Sequence, residues 1–350
     1  MDGRRAVDAR RYTACDGYAK RGKEGAGAGF PEDHVDRARR PPSRLARAAF
    51  GRLARYGPEA VVSDASDSLA LLGTKGGPAI RTGSAMPTSN LLTLGGRRIV
   101  IDCGLGVTRA LVDRGVALRE LSTIVVTHLH SDHYLELGPL LHTAWTAGLE
   151  TPVTVYGPAG LEASWRLFLR SMRADIELRQ SDEGRPELAP LVTVRTLDAG
   201  TVIDEDGLRL DAMRNRHPPL VDTFALSFRG AGSHVVLSGD TAPMEALADW
   251  ARGCDLLVHE AMLEAALPAL LARVGNGDDR LREHLLRSHT AAADAARLAA
   301  RAGARALALN HLIPSDDPDW GEDAWIEAVA PHWSGPLHLG RDGLVIPLPG

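Results

Sequence analysis

The sequence predicts an α/β protein built as a four-layer αβ/βα sandwich, with two sheets face to face and helices outside. Three observations lead there. Short apolar runs alternate with helix-like segments in two successive halves, each opening on a hairpin or meander and continuing as β–α units. Histidines and aspartates stand directly behind several of those runs, where a sheet presents its functional edge. A hydrophobic fraction of 44% over 350 residues is enough for a sizeable core.

Order is expected to begin near Ser68. Residues 69–72 form a short strand, broken by Gly73-Thr74-Lys75-Gly76-Gly77-Pro78. Residues 91–94 and 98–101 flank Gly95-Gly96 and read as a hairpin. Asp102-Cys103-Gly104-Leu105-Gly106 closes it and opens a helix over 107–114. Ile124-Val125-Val126 is a strand, and a helix is expected over 135–147. Residues 153–156 make a strand, and Gly157-Pro158 turns into a helix over 161–172. The stretch 174–216 reads as β-structure, with strands at 191–197, 202–203 and 208–214. In the second half, strands 223–228 and 235–237 precede a helix over 244–251. Strand 256–258 then leads to a helix over 261–272. An exposed loop at 275–279 comes before an alanine-rich helix at 291–302 and a strand at 306–309. A helix at 323–329 and a strand at 344–346 close the chain.

Charge is unevenly spread. Residues 1–60 hold 14 Lys+Arg against 8 Asp+Glu, a net of +6, and the remainder hold 26 against 37, a net of −11. The expected organisation is a basic, disordered extension at 1–65, with a helical turn or two around 44–56, followed by one folded domain at 66–350. The acidic body does not resemble a nucleic-acid-binding surface. Cys15, Cys103 and Cys254 are too few and too scattered for a disulfide framework or a cysteine-rich zinc site. No apolar run approaches membrane-spanning length. No apolar core of about 7–15 residues follows the basic start, so a secretory signal is not supported and a cytoplasmic location is expected. A homodimer is compatible with the sequence.

The chemistry concentrates at Thr127-His128-Leu129-His130-Ser131-Asp132-His133, which reads H-x-H-x-D-H. His128 and His130 alternate in extended geometry and point the same way. Asp132 and His133 sit in the turn, where the backbone aims them elsewhere. That arrangement suits two metals side by side better than one. Four ligands in six residues would still leave such metals under-coordinated. His217, Asp240 and His311 lie just past apolar runs and complete a set of seven with His128, His130, Asp132 and His133.

With these residues the chain resembles the metallo-β-lactamase superfamily, in the branch of ribonuclease Z and the arylsulfatase- and phosphodiesterase-like hydrolases. The resemblance covers about residues 66–348. It is carried by Leu-Gly-Thr at 72–74, Asp-Cys-Gly at 102–104, the H-x-H-x-D-H motif and Tyr-Gly-Pro at 156–158. It continues through His217, Ser-Gly-Asp-Thr at 238–241, His-Glu-Ala at 259–261, Ser-His-Thr at 288–290 and Asn-His at 310–311. It implies the αβ/βα sandwich of the metallo-β-lactamase type and two Zn²⁺ ions. One ion would sit on His128, His130 and His217, the other on Asp132, His133 and His311, with Asp240 bridging. It further implies that His289 stands near the leaving group and that Glu260 orients a histidine there. Histidine and carboxylate ligands admit Mn²⁺ or Fe²⁺ as well.

One departure bears on substrate. Ribonuclease Z carries a long insertion, a flexible arm that grips tRNA, ahead of the bridging aspartate. Here His217 and Asp240 are only 23 positions apart, room for two strands and a turn. Ser131 also replaces a glycine usual in ribonuclease Z. The expectation is therefore a dinuclear zinc hydrolase using metal-activated hydroxide on a small phosphodiester or an aryl or alkyl sulfate or carboxylic ester. Asp132 would orient the hydroxide or accept its proton, and His289 would protonate the departing oxygen. Ribonuclease Z-type tRNA 3′ processing is the first alternative, with RNA as a less favoured partner. A non-catalytic or iron-dependent redox member is the second.

Overall fold

A computed structural model describes residues 66–275 and 277–349. The basic stretch at 1–65, with the turns expected around 44–56, lies outside the described residues. Fourteen strands are described: β1 (Ser68–Gly73), β2 (Ser89–Leu94), β3 (Arg97–Cys103), β4 (Thr123–Val125), β5 (Val153–Gly157), β6 (Val192–Thr196), β7 (Gly200–Glu205), β8 (Leu208–Arg214), β9 (Phe224–Gly230), β10 (Ser233–Leu237), β11 (Leu256–Met262), β12 (Ala306–Ile313), β13 (Leu337–Leu339) and β14 (Leu344–Pro347). They form two seven-stranded sheets, ordered β14-β1-β2-β3-β4-β5-β6 and β13-β12-β11-β10-β9-β8-β7. In each sheet a run of parallel strands adjoins an antiparallel meander.

The apolar runs are nearly continuous because both faces of each strand are covered. Leu69 and Leu71 of β1 face the other sheet, while Ala70 and Leu72 face the helices. Ile99 and Ile101 of β3 likewise point inward and Val100 outward, and in β10 Val235 and Leu237 oppose Val236. Three large cores follow, one between the sheets and one under each helical layer, and a smaller cluster gathers Met262, Leu267, Leu270, Leu285 and Ile313. The predicted four-layer αβ/βα sandwich is therefore the observed fold.

Helices α1 (Val107–Asp113), α2 (Ser131–Tyr134), α3 (Leu137–Thr146), α4 (Leu161–Ser171), α5 (Arg173–Glu183) and α6 (Leu188–Leu191) belong to the first half. Those of the second half are α7 (Glu245–Trp250), α8 (Leu267–Val274), α9 (Arg280–Ser288), α10 (Ala292–Ala302) and α11 (Glu322–Val329). The small side chains of α10 at Ala292, Ala295, Ala296, Ala299 and Ala302 are buried, which lets the helix lie close to the second sheet. It ends at Gly303, whose φ of 61° only glycine adopts at little cost.

Several expected elements need correction. The stretch after 172 is not β-structure at first: α5 occupies Arg173–Glu183. Only Ile176 of this helix is buried, so it carries almost no apolar period. Surface pairs four residues apart support it instead, Arg173–Glu177, Asp175–Arg179 and Arg179–Glu183. The helix expected over 261–272 starts only at Leu267, because β11 runs on to Met262. Helix α9 and strand β13 were not foreseen. Strand β12 extends past 309 to Ile313, so His311 lies inside it rather than behind it. Among the described residues no helix is long and apolar enough to cross a membrane.

Candidate metal centre

All seven predicted ligands converge in the cleft at one edge of the two sheets. The carboxyl ends of parallel strands supply most of them, as expected for an α/β architecture. The H-x-H-x-D-H segment leaves β4 and becomes α2, with His130 as the residue before the helix. His217 comes from the loop after β8, Asp240 from the loop after β10, and His311 from β12.

His311 reaches the cleft by a bulge. The β11–β12 register pairs Glu260 with Asn310 and Ala261 with Leu312, which leaves His311 as the extra residue. Its φ of 45° is rare for a non-glycine residue, and such strain is kept where a side chain must be re-aimed.

Two ligand sets are apparent. In the first, His130 Nδ1 lies 3.2 Å from His128 Nε2 and 2.9 Å from His217 Nε2. In the second, His311 Nε2 lies 3.4 Å from Asp132 Oδ2, and His133 Nε2 lies 3.7 Å from the same oxygen. Asp240 Oδ2 belongs to both. It is 3.0 Å from His311 Nε2, 3.3 Å from His133 Nε2, 3.6 Å from His128 Nε2 and 3.8 Å from His217 Nε2. Every member but His130 is buried.

The proton bookkeeping fits bound cations. Asp102 accepts from Thr127 N (2.7 Å), from the Thr127 hydroxyl and from His133 Nδ1 (2.8 Å). With its hydroxyl proton given to Asp102, Thr127 can only accept from His128 Nδ1, 3.1 Å away. His217 Nδ1 donates to Ser288 O at 2.8 Å. His128, His133 and His217 therefore carry their protons on Nδ1 and turn the Nε2 lone pairs inward. His133 Nε2 is buried with no hydrogen-bond partner. Burial holds His128, His130 and His217 below the usual histidine range, so they are neutral at neutral pH. Burial also opposes charge on His311, but Asp240 and Asp132 outweigh it and push the ring up to about 10. A protonated imidazole beside two carboxylates marks a place where a cation can replace a proton. Nitrogen donors at 2.0–2.1 Å around a tetrahedral zinc are separated by roughly 3.3 Å, close to the spacing of the first set.

Asp102 appeared in the sequence only as part of a motif, with no role. It has a φ of 62° and holds His133 in one tautomer and one orientation. Asp102→Asn is expected to weaken metal binding about 10–100-fold, measured by competition with a chromophoric chelator. Unchanged affinity would remove Asp102 from this role.

The other two predicted residues also arrive. His289 Nδ1 lies 3.1 Å from each Glu260 oxygen, and its ring stacks on that of His311 at 5.4 Å. Glu260 Oε1 accepts from Thr241 N at 2.7 Å, which holds the carboxylate in place. His259 is fully buried, with Nδ1 against Glu260 O. The Ser-His-Thr triplet also anchors the His217 loop, through Ser288 O to His217 Nδ1 and Ser288 Oγ to Pro218 O.

The centre opens into a cavity of about 320 Å³. Its far wall is apolar, built from Leu270, Val274, Leu281, Leu285 and Ile313. Lys75 and Arg81 line it from the loop after β1, and His284 from α9. Burial and the neighbouring histidines hold His284 down at about 4. None of these was foreseen. The i, i+4 pairs Leu281–Leu285 and His284–Ser288 were the available signal for α9.

Two face-to-face sheets with a buried histidine–aspartate cluster at their shared edge define a metal-dependent hydrolase of the metallo-β-lactamase fold. Residues 68–307 match the family described as Anti-Pycsar protein Apyc1. Ribonuclease Z of Mycobacterium bovis (strain BCG / Pasteur 1173P2) is 31% identical over 277 residues, 78% of this chain and 95% of the relative. The metallo-β-lactamase fold protein YhfI of Bacillus subtilis superposes with a TM-score of 0.59 at 20% identity, covering 80% of this chain and 99% of that one. The short form of human tRNase Z gives a TM-score of 0.57 at 21% identity, covering 81% and 99%. The chain belongs to the ribonuclease Z and Apyc1 family of metallo-β-lactamase-fold hydrolases.

Proposed function

We propose that the protein is a dinuclear zinc phosphodiesterase of the ribonuclease Z type, cleaving a phosphodiester at an RNA 3′ end. The observation that carries the phosphodiesterase reading is the meeting of two ligand sets on Asp240 Oδ2, beside the Glu260–His289 pair. The name borne by the relatives supports RNA as substrate. One ion would use His128, His130 and His217, the other Asp132, His133 and His311, with Asp240 shared. When bound, the ions act as Lewis acids and make hydroxide available near pH ~7. Asp132 Oδ2 is braced by Gly77 N at 2.8 Å and is placed to take a proton from the attacking water. His289, held by Glu260, gives a proton to the departing oxygen. With an RNA substrate the expected location is the cytoplasm. Membership of a hydrolase family sets aside the non-catalytic and redox readings.

The missing arm weighs less against RNA than the sequence suggested. The alignment to the Mycobacterium bovis relative runs 277 residues over 78% of this chain and 95% of that one, which leaves no room within it for a long insertion that the relative has and this chain lacks. The interval from His217 to Asp240 is filled by β9 and β10, but that shortness does not separate this chain from relatives named for the activity. The net charge of −11 over residues 61–350 still opposes a polyanion, so RNA binding has to rest on local cation–phosphate contacts, and the counterions these release make it fall as salt rises. A small phosphodiester is the second reading, favoured by the confined cavity with its apolar wall. No observation favours a sulfate or carboxylic ester.

The test is cleavage of a precursor tRNA by the zinc-loaded full chain at physiological salt. One site-specific cut at the 3′ side is expected. Turnover of bis(4-nitrophenyl) phosphate without RNA cleavage would shift the assignment to the second reading. Inactivity on both would overturn the proposal. Chelation is expected to reduce turnover to background and to lower the melting temperature, with Zn²⁺ restoring both.

A further inference from the structure

Lys75 lies in the loop between β1 and β2 with only 5% of its surface exposed. Its backbone is held from two directions. The N–H donates to Met86 O at 2.9 Å, and the carbonyl accepts from Thr88 Oγ1 at 3.2 Å. The following residues tie the loop to the centre. Gly76 N donates to Leu312 O at 3.1 Å, and Gly77 N donates to Asp132 Oδ2 at 2.8 Å. A Cβ at position 76 would come 2.4 Å from Ile313 Cγ1 and 2.9 Å from the His311 ring. The loop thus touches two of the candidate metal ligands, and Lys75 cannot drift relative to them.

The side chain is under-used. Its ammonium has three donors, and one goes to Gly76 O at 3.0 Å. The carboxylates that bear on it are engaged elsewhere. Asp316 pairs with Arg81 at 3.0 Å and with Arg273 at 3.4 Å, and Asp132 belongs to the metal centre. Burial costs a lysine its hydration, and that loss is offset only by an anion or good acceptors. Lys75 and Arg81 line the same cavity as His130, Asp132, His289 and His311. A phosphodiester brings in the missing acceptors, because its non-bridging oxygens carry the negative charge.

We propose that Lys75 is a substrate-binding residue whose ammonium grips a non-bridging phosphate oxygen. The assignment rests on the phosphodiesterase reading above. It gives the site a preference for anionic esters that the metal ligands alone do not supply.

Three measurements on zinc-loaded full-length protein test it, comparing the natural chain with Lys75→Met and Lys75→Arg. The probes are bis(4-nitrophenyl) phosphate, the neutral ester 4-nitrophenyl acetate, and calorimetric binding of phenyl phosphate. Lys75→Met is expected to lower kcat/KM for the diester and the affinity for phenyl phosphate by about 10–100-fold, the scale of one charge-assisted hydrogen bond. Hydrolysis of the acetate should change by less than about twofold, and Lys75→Arg should recover part of the loss. Unchanged phenyl phosphate affinity, or equal losses on both esters, would overturn the role of Lys75 while leaving the phosphodiesterase reading intact. A natural chain that neither binds phenyl phosphate nor cleaves the diester would fell that reading, and this assignment with it. If Lys75→Met loses zinc or melts early, Lys75→Gln repeats the comparison with a polar tip in place.

Discussion

Asp240→Asn is expected to cost at least one bound metal ion and to lower turnover by about 10³-fold or more. The carboxylate oxygen Oδ2 is the one atom common to both ligand sets, within 3.0–3.8 Å of four imidazole nitrogens. An amide keeps the shape, so no cavity opens and the surrounding strands β10 and β11 have no reason to move. The negative charge is lost, however, and with it the group that would offset two cations in a buried site. If the amide nitrogen takes the place of Oδ2, its protons face lone pairs that need a cation. Elemental analysis of the purified variant, next to its rate on a phosphodiester, checks the result. Two metals per chain with ordinary turnover would rule out Asp240 as the shared ligand.

His289→Ala is expected to cost roughly 10²–10⁴-fold in rate with metal content intact. Glu260 holds His289 Nδ1 with both oxygens at 3.1 Å, which leaves Nε2 as the working nitrogen. The ring lines the cavity beside Asp240 and His311, where a departing oxygen would emerge. A proton given up from Nε2 leaves a neutral ring only because Nδ1 keeps its own, and Glu260 secures that proton. The loss should shrink for substrates whose leaving group departs as nitrophenolate, since that oxygen needs no proton. Equal losses for good and poor leaving groups would exclude the general-acid role and leave His289 as a packing partner of His311. Glu260→Gln should fall between the natural chain and His289→Ala, because an amide accepts one hydrogen bond without the charge.

The part of the site that the sequence disclosed is the part written within a few residues. His128, His130, Asp132 and His133 leave one strand and enter one turn, so chain geometry alone brings them together. His217, Asp240 and His311 stood out singly only as polar residues behind or within apolar runs. Their convergence needed the two sheets to meet. Asp102, Lys75 and His284 could not be singled out, because each acts across a gap in sequence that no period spans. Asp102 meets His133 31 positions away, and Gly77 meets Asp132 across 55. Helix α5 escaped for a different reason. Surface ion pairs support it rather than an apolar stripe, so its sequence lacks the 3.6-residue signature.

Local pattern, then, determined the sandwich, the order of most of its elements and the seven candidate ligands. Strand burial on both faces writes continuous apolar runs, and the candidate ligands stand at or near the ends of those runs, at the sheet edge. Only the tertiary structure decided which donor atoms face one another, and that Asp240 Oδ2 is shared between two sets. It alone placed the bulge that turns His311 inward and the loop that seals Lys75 beside the centre. The physical reason is the same for each. Burial and register are properties of strands from both halves of the chain packed together, and neither half carries them alone.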